Sequence, residues 1–169
     1  MNPASEDMVI RPMQRSDVAR AVEIAASLAH APHWPSGAYW AALDATASPR
    51  RIALVAERLL TVEPGSMASA QVSVLVGFAV ASVIPTQAEI ETIAVAAEEQ
   101  RRGTGGRLLR ALLDELRPMG VTEVLLEARA SNQPALRLYT ALGFRQTGVR
   151  PRYYDDPQED AVLMVLQDL

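Results

Sequence analysis

Gln100-Arg101-Arg102-Gly103-Thr104-Gly105-Gly106 is the stretch whose residue types and spacing most plainly suit chemistry. It follows a strand-like run and opens a leucine-patterned helix, so successive backbone N–H groups can converge on one point with the helix dipole behind them. Such a nest binds phosphate. Glycines at 103, 105 and 106 let the backbone approach a ligand with no Cβ in the way, and Arg101 and Arg102 can bring charge to a pyrophosphate or a ribose phosphate. No lysine follows the glycines as a P-loop requires, and the third-glycine spacing of a dinucleotide fingerprint is missing.

Several elements must position this loop. Val72–Ile84 and Glu89–Val95 read as a hairpin across Pro85 and Thr86, and the second strand leads into the loop. Leu108, Leu109, Leu112, Leu113 and Leu116 recur at helical spacing and predict a helix from Thr104 to Arg117, ended by Pro118 and Gly120. Val121–Ala128 is the next strand. A helix over Asn132–Leu142 follows, with Asn132 as N-cap, Pro134 in its first turn and Gly143 past its end. Phe144–Tyr153 and Ala161–Leu166 are two closing strands. Upstream, the pattern predicts a strand at Val9–Pro12, a helix capped at Ser16-Asp17 and running to Ala29, a short helix from Ser36 to Ala45, and a strand at Arg51–Leu60. The polar stretch Thr61–Gln71 reads as a loop between strands. The order is that of one mixed α/β domain over residues 1–169.

Bulk properties narrow the chemistry. A chain of 169 residues with a hydrophobic fraction of 49% suffices for one domain with a real core. The absence of cysteine excludes disulfides, thiolate metal sites and an acyl-cysteine intermediate. A net charge of -4 argues against general nucleic-acid binding. The Val72–Ile84 run is too short for a membrane helix, which needs about 20 residues. Met1–Asp7 has two acids, no positive charge and no apolar core, so no secretory signal is expected and cytoplasmic residence is the default.

Four further stretches join the glycine loop: Ile93-Ala94-Val95; Leu126-Glu127-Ala128-Arg129-Ala130-Ser131-Asn132; Leu138-Tyr139-Thr140-Ala141-Leu142-Gly143-Phe144; and Tyr153-Tyr154 with Glu159-Asp160-Ala161. Together with the loop pattern Q/R-x-x-G-x-G/A, they make residues 89–166 resemble the GNAT superfamily of N-acetyltransferases. The branch most resembled is the bacterial ribosomal-protein alanine N-acetyltransferases. The first 88 residues resemble it loosely, with Trp34-Pro35-Ser36 the best match.

The resemblance implies an α/β GNAT fold: a mixed, mostly antiparallel sheet of six to seven strands, splayed at the cofactor site and flanked by about four helices. It implies acetyl-coenzyme A as co-substrate and no metal. The pantetheine arm would pair with the backbone of Ile93, Ala94 and Val95, and Arg101, Arg102, Gly103, Thr104, Gly105 and Gly106 would hold the pyrophosphate. Asn132 would touch the cofactor arm, a role compatible with its reading as an N-cap. Glu127 would be the general base and Tyr139 the general acid, with direct attack by the amine in a ternary complex. Tyr139 also has a purely packing reading. The expected acceptor is a protein N-terminus, specifically the terminal alanine of a small-subunit ribosomal protein, and the expected enzyme is a monomer without nucleic-acid or membrane partners. Two other functions compete: acetylation of a small amine, and a regulatory module that binds coenzyme A without turnover.

Departures from the pattern leave the base open. Glu89 and Glu91 sit on the strand before the loop, where other members of the resembled superfamily place their base, and Glu91 stands where the resembled branch has an apolar residue, so Glu91 is either a second carboxylate of the site or a substrate contact. Alternation puts Glu89 and Glu91 on one face of their strand. Trp34, Glu89, Tyr153 and Tyr154 are expected at the substrate. The acidic residues after Tyr154 would suit a basic polypeptide, or form an ordinary solvated hairpin loop. His30 and His33 flank Pro32 with no third metal ligand in view.

Overall fold

The computed structural model describes residues 8–62 and 70–169. The expectation about Met1–Asp7 and the middle of the Thr61–Gln71 loop lie outside the described residues; strands take up both ends of that stretch.

Among the described residues the strands are β1 (Met8–Pro12), β2 (Arg50–Val62), β3 (Ala70–Ile84), β4 (Gln87–Val95), β5 (Glu123–Arg129), β6 (Arg145–Asp155) and β7 (Gln158–Gln167). The α-helices among the same residues are α1 (Val18–Ala26), α2 (Ser36–Ala42), α3 (Thr104–Leu116) and α4 (Gln133–Ala141). The sheet order is β1-β2-β3-β4-β5-β7-β6. Every pairing is antiparallel except β4 with β5, the pair joined by the α3 crossover.

Each face of the sheet carries its own core. On one, the leucine stripe of α3 and Tyr139 of α4 pack on Ala88, Ile90, Val124, Leu126 and Met164. On the other, Val18, Ala21 and Ile24 of α1 and Tyr39 of α2 pack on Val55, Phe78, Val80 and Ala94. All five α3 leucines are at most 4% exposed. Each contributes about 1.5–3 kcal/mol by burial, which sets the helix, and with it the glycine loop, firmly on the sheet.

Helix boundaries correct the sequence reading near the N-terminus. A 3-10 turn at Arg15–Asp17 precedes α1, Gln14 is its N-cap, and Asp17 reaches back to accept the Gln14 N–H at 2.7 Å. Asp17 stands at the N-cap position of α1 as expected, but its side chain makes no capping hydrogen bond to that helix, which ends at Ala26 rather than Ala29. Asp17 also binds Arg11 of β1 at 2.7 and 2.9 Å, and Arg11 binds Glu57 of β2 in turn. Ser36 is the first residue of α2, not its cap, and that helix stops at Ala42. Downstream the expected order holds, with Asn132 capping α4 by accepting the Ala135 N–H at 3.3 Å.

Two irregularities shape the middle of the sheet. The β4–β5 ladder runs only from Gln87–Glu123 to Ile90–Leu126, so beyond Ile90 and Leu126 the two strands part. Just there β4 carries a bulge: Ala81 pairs with Ile90 and Val80 with Thr92, leaving Glu91 as the extra residue.

Candidate active site

The parted strands make an opening through the sheet. A cleft of about 430 Å³ is lined by Ile90–Ile93 of β4, Leu126–Arg129 of β5, Asn132, Tyr139, Tyr154, Asp156 and the segment Ala29–His33. It joins the α3/α4 face to the α1/α2 face. A second hollow of about 300 Å³, between α3 and the C-terminal residues, contains no candidate residue.

On the α3/α4 face the candidate site is built from backbone; of the residues whose backbone is expected there only Ile93 lines the cleft, while Ala94, Val95 and the turn from Arg101 to Gly106 lie outside its lining. Arg101 has φ 60° and Gly103 φ 85°, turning the chain so that α3 starts at Thr104. Arg107 N–H is bonded to Gly103 O at 3.0 Å, whereas the N–H groups of Thr104, Gly105 and Gly106 belong to the first turn, which has no intrahelical acceptors. Glu99 anchors the approach to this turn. It is 6% exposed and accepts from Arg58 Nε at 2.9 Å and Nη2 at 2.5 Å, while Arg102 lies 3.5 Å away. Gln100 Nε2 donates to Val95 O at 3.1 Å, tying the loop to the end of β4. Thr104 is 1% exposed and its hydroxyl has no hydrogen-bond partner in the structure. Ile93, Ala94 and Val95 pair with Ala79, Phe78 and Gly77 along one edge, and their other edge faces the gap left by β5. An extended polyamide arm and a phosphate pair fit these groups.

The second side is built from charged side chains. Val124, Leu126 and Ala128 point to the α3/α4 core, so alternation sends Glu127 to the opposite face. There Glu127 meets Arg150 of β6 at 3.0 Å, and the Arg150 guanidinium lies 4.8 Å from the centre of the Tyr153 ring. Glu91 holds both nitrogens of a fork, Arg51 Nε at 2.7 Å and Nη2 at 3.0 Å. Glu89 stays on the same face, where burial and the neighbouring Glu127 and Glu91 charges push its carboxyl above the usual range. Burial, with a smaller push from Glu127, raises the Tyr154 phenol, whose ring carries the Arg129 guanidinium at 4.2 Å. Arg129 also binds Glu159 at 3.3 Å, and Glu159 accepts the Ser131 N–H, so the β6–β7 turn is fastened beside the cleft.

Tyr139 stands where the two sides meet. It is 6% exposed, its ring centre lies 6.0 Å from that of Phe144, and burial raises its phenol well above the ordinary value. The hydroxyl proton is retained at neutral pH, as in phenols ordinarily.

Expected and observed positions differ on the acceptor side. Glu91, Ile93, Glu127, Asn132, Tyr139 and Tyr154 come together around the cleft. Trp34 does not line it; its ring packs on Tyr39 at 5.4 Å, and Ala29–His33 form the wall instead. Glu89 and Tyr153 lie outside the lining, on the open strand face and under Arg150 respectively. Sequence reasoning missed Arg51, Arg150 and Thr92. Arg51 lies 40 residues from its carboxylate, and no spacing rule links them. Among the described residues no group of three or more His, Cys, Asp or Glu is placed to hold a metal ion, and no helix is long and apolar enough to cross a membrane.

A family model described as the acetyltransferase (GNAT) family matches residues 23–144. The chain is 44% identical over 94 residues to the ribosomal protein bS18-alanine N-acetyltransferase of Salmonella typhimurium, a match covering 54% of this chain and 64% of that protein. It is 46% identical over 94 residues to the N-alpha-acetyltransferase RimI of Mycobacterium tuberculosis, covering 53% of this chain and 58% of that protein. The chain thus spans less than two thirds of each of these curated relatives. Among solved structures, the ribosomal-protein-S18-alanine N-acetyltransferase from Escherichia coli superposes with a TM-score of 0.73 at 28% identity, covering 95% of this chain and 94% of that one. Ard1 from Thermoplasma volcanium gives 0.75 at 28% identity, covering 96% and 99%.

Proposed function

On the premise that the chain belongs to the acetyltransferase (GNAT) family, we propose that it transfers an acetyl group from acetyl-coenzyme A to the terminal α-amine of a protein. The acceptor in this reading is the N-terminal alanine of a small-subunit ribosomal protein, matching the substrate named for the bS18-modifying relatives. The observation that carries it is the cleft through the sheet, with Tyr139 and Asn132 toward the α4 side and Glu127 among charged groups on the other.

Acetyl-coenzyme A supplies an acyl group already activated as a thioester. The free N–H groups of Thr104–Gly106, with Arg101 and Arg102, bind its pyrophosphate, and the open edge of Ile93–Val95 pairs with its pantetheine arm. Asn132 caps α4 and presents its remaining amide donors to the same arm. An α-amine ordinarily titrates near 8, against about 10.4 for lysine, so a terminal amine needs little help to become neutral. Glu127 takes its proton directly or through water. Glu91, with both oxygens engaged by Arg51, supports the site's charge balance and leaves the proton to Glu127. Tyr139, protonated at neutral pH as phenols ordinarily are, gives its proton to the departing thiolate, whose conjugate acid titrates near 8.5.

A panel of acceptors tests this reading. A short basic peptide with a free terminal alanine, spermidine, a free amino acid and an aminoglycoside are each offered with acetyl-coenzyme A, and products are weighed by mass spectrometry. An added acetyl group on the peptide terminus alone is expected. Acetylation confined to the small amines would replace the protein acceptor with a metabolite or drug.

A further inference from the structure

Among the described residues, three buried side-chain atoms have no hydrogen-bond partner: the hydroxyls of Tyr39, Thr92 and Thr104. A buried hydroxyl left unpaired costs about 1–3 kcal/mol, so each calls for a reason. Tyr39 lies within the α1/α2 core between Trp34 and Phe78, away from the cleft lining. Thr104 opens α3 at the phosphate turn. Thr92 is 4% exposed and lines the cleft beside Glu91.

The bulge decides which way Thr92 looks. Ala88 and Ile90 face the α3/α4 core, and unbroken alternation would send Thr92 there too. The extra residue Glu91 resets the parity. Thr92 pairs with Val80, and Val80 and Ala94 belong to the α1/α2 core, so Thr92 shares their face, the side on which Glu127 and the Ala29–His33 wall stand. A polar side chain has thus been turned from one core to the acceptor side of the opening and left there without an internal partner.

We infer that Thr92 orients the acceptor: its hydroxyl oxygen accepts one N–H of the incoming primary amine while Glu127 takes the other proton. An amine attacks along its single lone pair, and two acceptors on its two N–H bonds fix where that lone pair points; one acceptor leaves it free to rotate. Thr92 is therefore a further specificity-determining residue, selecting primary over secondary amines. The inference rests on the acetyl-transfer reading but not on a protein acceptor, since it holds for any primary amine.

Thr92→Val and Thr92→Ser are compared with the wild-type enzyme, using whichever amine the wild type acetylates best. Thr92→Val is expected to lower kcat about 3- to 10-fold, the worth of one neutral hydrogen bond, with unchanged coenzyme A affinity and an unchanged or higher Tm, because an unpaired buried hydroxyl has been removed. Thr92→Ser is expected to restore kcat. A wild-type kcat in Thr92→Val overturns the inference and leaves the acetyl-transfer reading standing; so does a loss of kcat that tracks a fall in Tm. Absence of acceptor-dependent thiol release from the wild type with every amine overturns both.

Discussion

The two sides of the cleft are made by different means. The proposed cofactor-binding groups are backbone: the glycine turn and the first N–H groups of α3, both outside the cleft lining, and the open edge of β4, braced by the buried Arg58–Glu99 pair. The acceptor side is side chains drawn from β2, β4, β5, β6 and the segment before α2, held by exposed or half-buried ion pairs. A backbone site recognises a shape shared by every member of a family, whereas a side-chain site is rebuilt by single substitutions. Binding of the cofactor and choice of the acceptor are thereby separable, and variants should affect one without the other.

Tyr139→Phe should have the largest effect, because it removes the proton donor proposed for the departing thiolate. A fall in kcat of about 10²–10⁴-fold with coenzyme A affinity retained is expected, read by steady-state thiol release and calorimetric titration. Turnover close to wild type would strip Tyr139 of the acid role and leave it a packing residue against Phe144.

Next come the two carboxylates, compared over pH. Glu127→Gln should cut kcat about 10²-fold at every pH compared. Glu91→Gln should chiefly weaken the tie to Arg51, lowering Tm with a much smaller change in kcat. The reverse ranking would transfer the base role to Glu91 and break the division proposed between proton transfer and charge balance.

Gly103→Val probes the backbone side alone. At φ 85° a Cβ is strained, although no atom lies within 4 Å of where it would sit, so the effect is conformational and not a clash. The cost of about 1–2 kcal/mol should weaken coenzyme A binding roughly 10-fold while kcat at saturation stays unchanged. A changed kcat would mean that the two sides are coupled.

How much of this was legible in the sequence follows the same division. Strand, glycine loop, leucine stripe and capped α4 are local patterns, and the downstream element order was read correctly because each element is specified within its own residues. The bulge at Glu91 was not legible: Ile90-Glu91-Thr92 has no glycine or proline to mark it, and it arises from register against β3. Alternation correctly kept Glu89 and Glu91 together but gave no sign that Thr92 joins them. Arg150 reaches Glu127 across β7, a contact set by strand order and invisible to spacing. Trp34 had both a core reading and, by likeness, a substrate reading; in the structure it is partly buried against Tyr39 and outside the cleft lining.

The smallest expected effect lies away from the cleft. Hydrogen bonds from Arg11 hold the Asp17 and Glu57 carboxyls below their usual range. A carboxyl depressed on folding favours the folded state above its unfolded pKa, about 4, and loses that contribution as pH falls through its folded value. Tm should therefore drop on the acid side, and Arg11→Met should lower Tm at pH 7 while making that acid-side drop shallower. Because the charges are partly solvated, the change will be modest. A Tm profile indifferent to Arg11 would show that the β1 tie is packing and not charge.

The central claim, that the opening through the sheet passes an acetyl group to a terminal α-amine, is tested most directly by coenzyme A release from acetyl-coenzyme A with one peptide in two forms. Release with the free N-terminus and none with the blocked terminus is predicted. Equal release with both forms, or none with either, would contradict it.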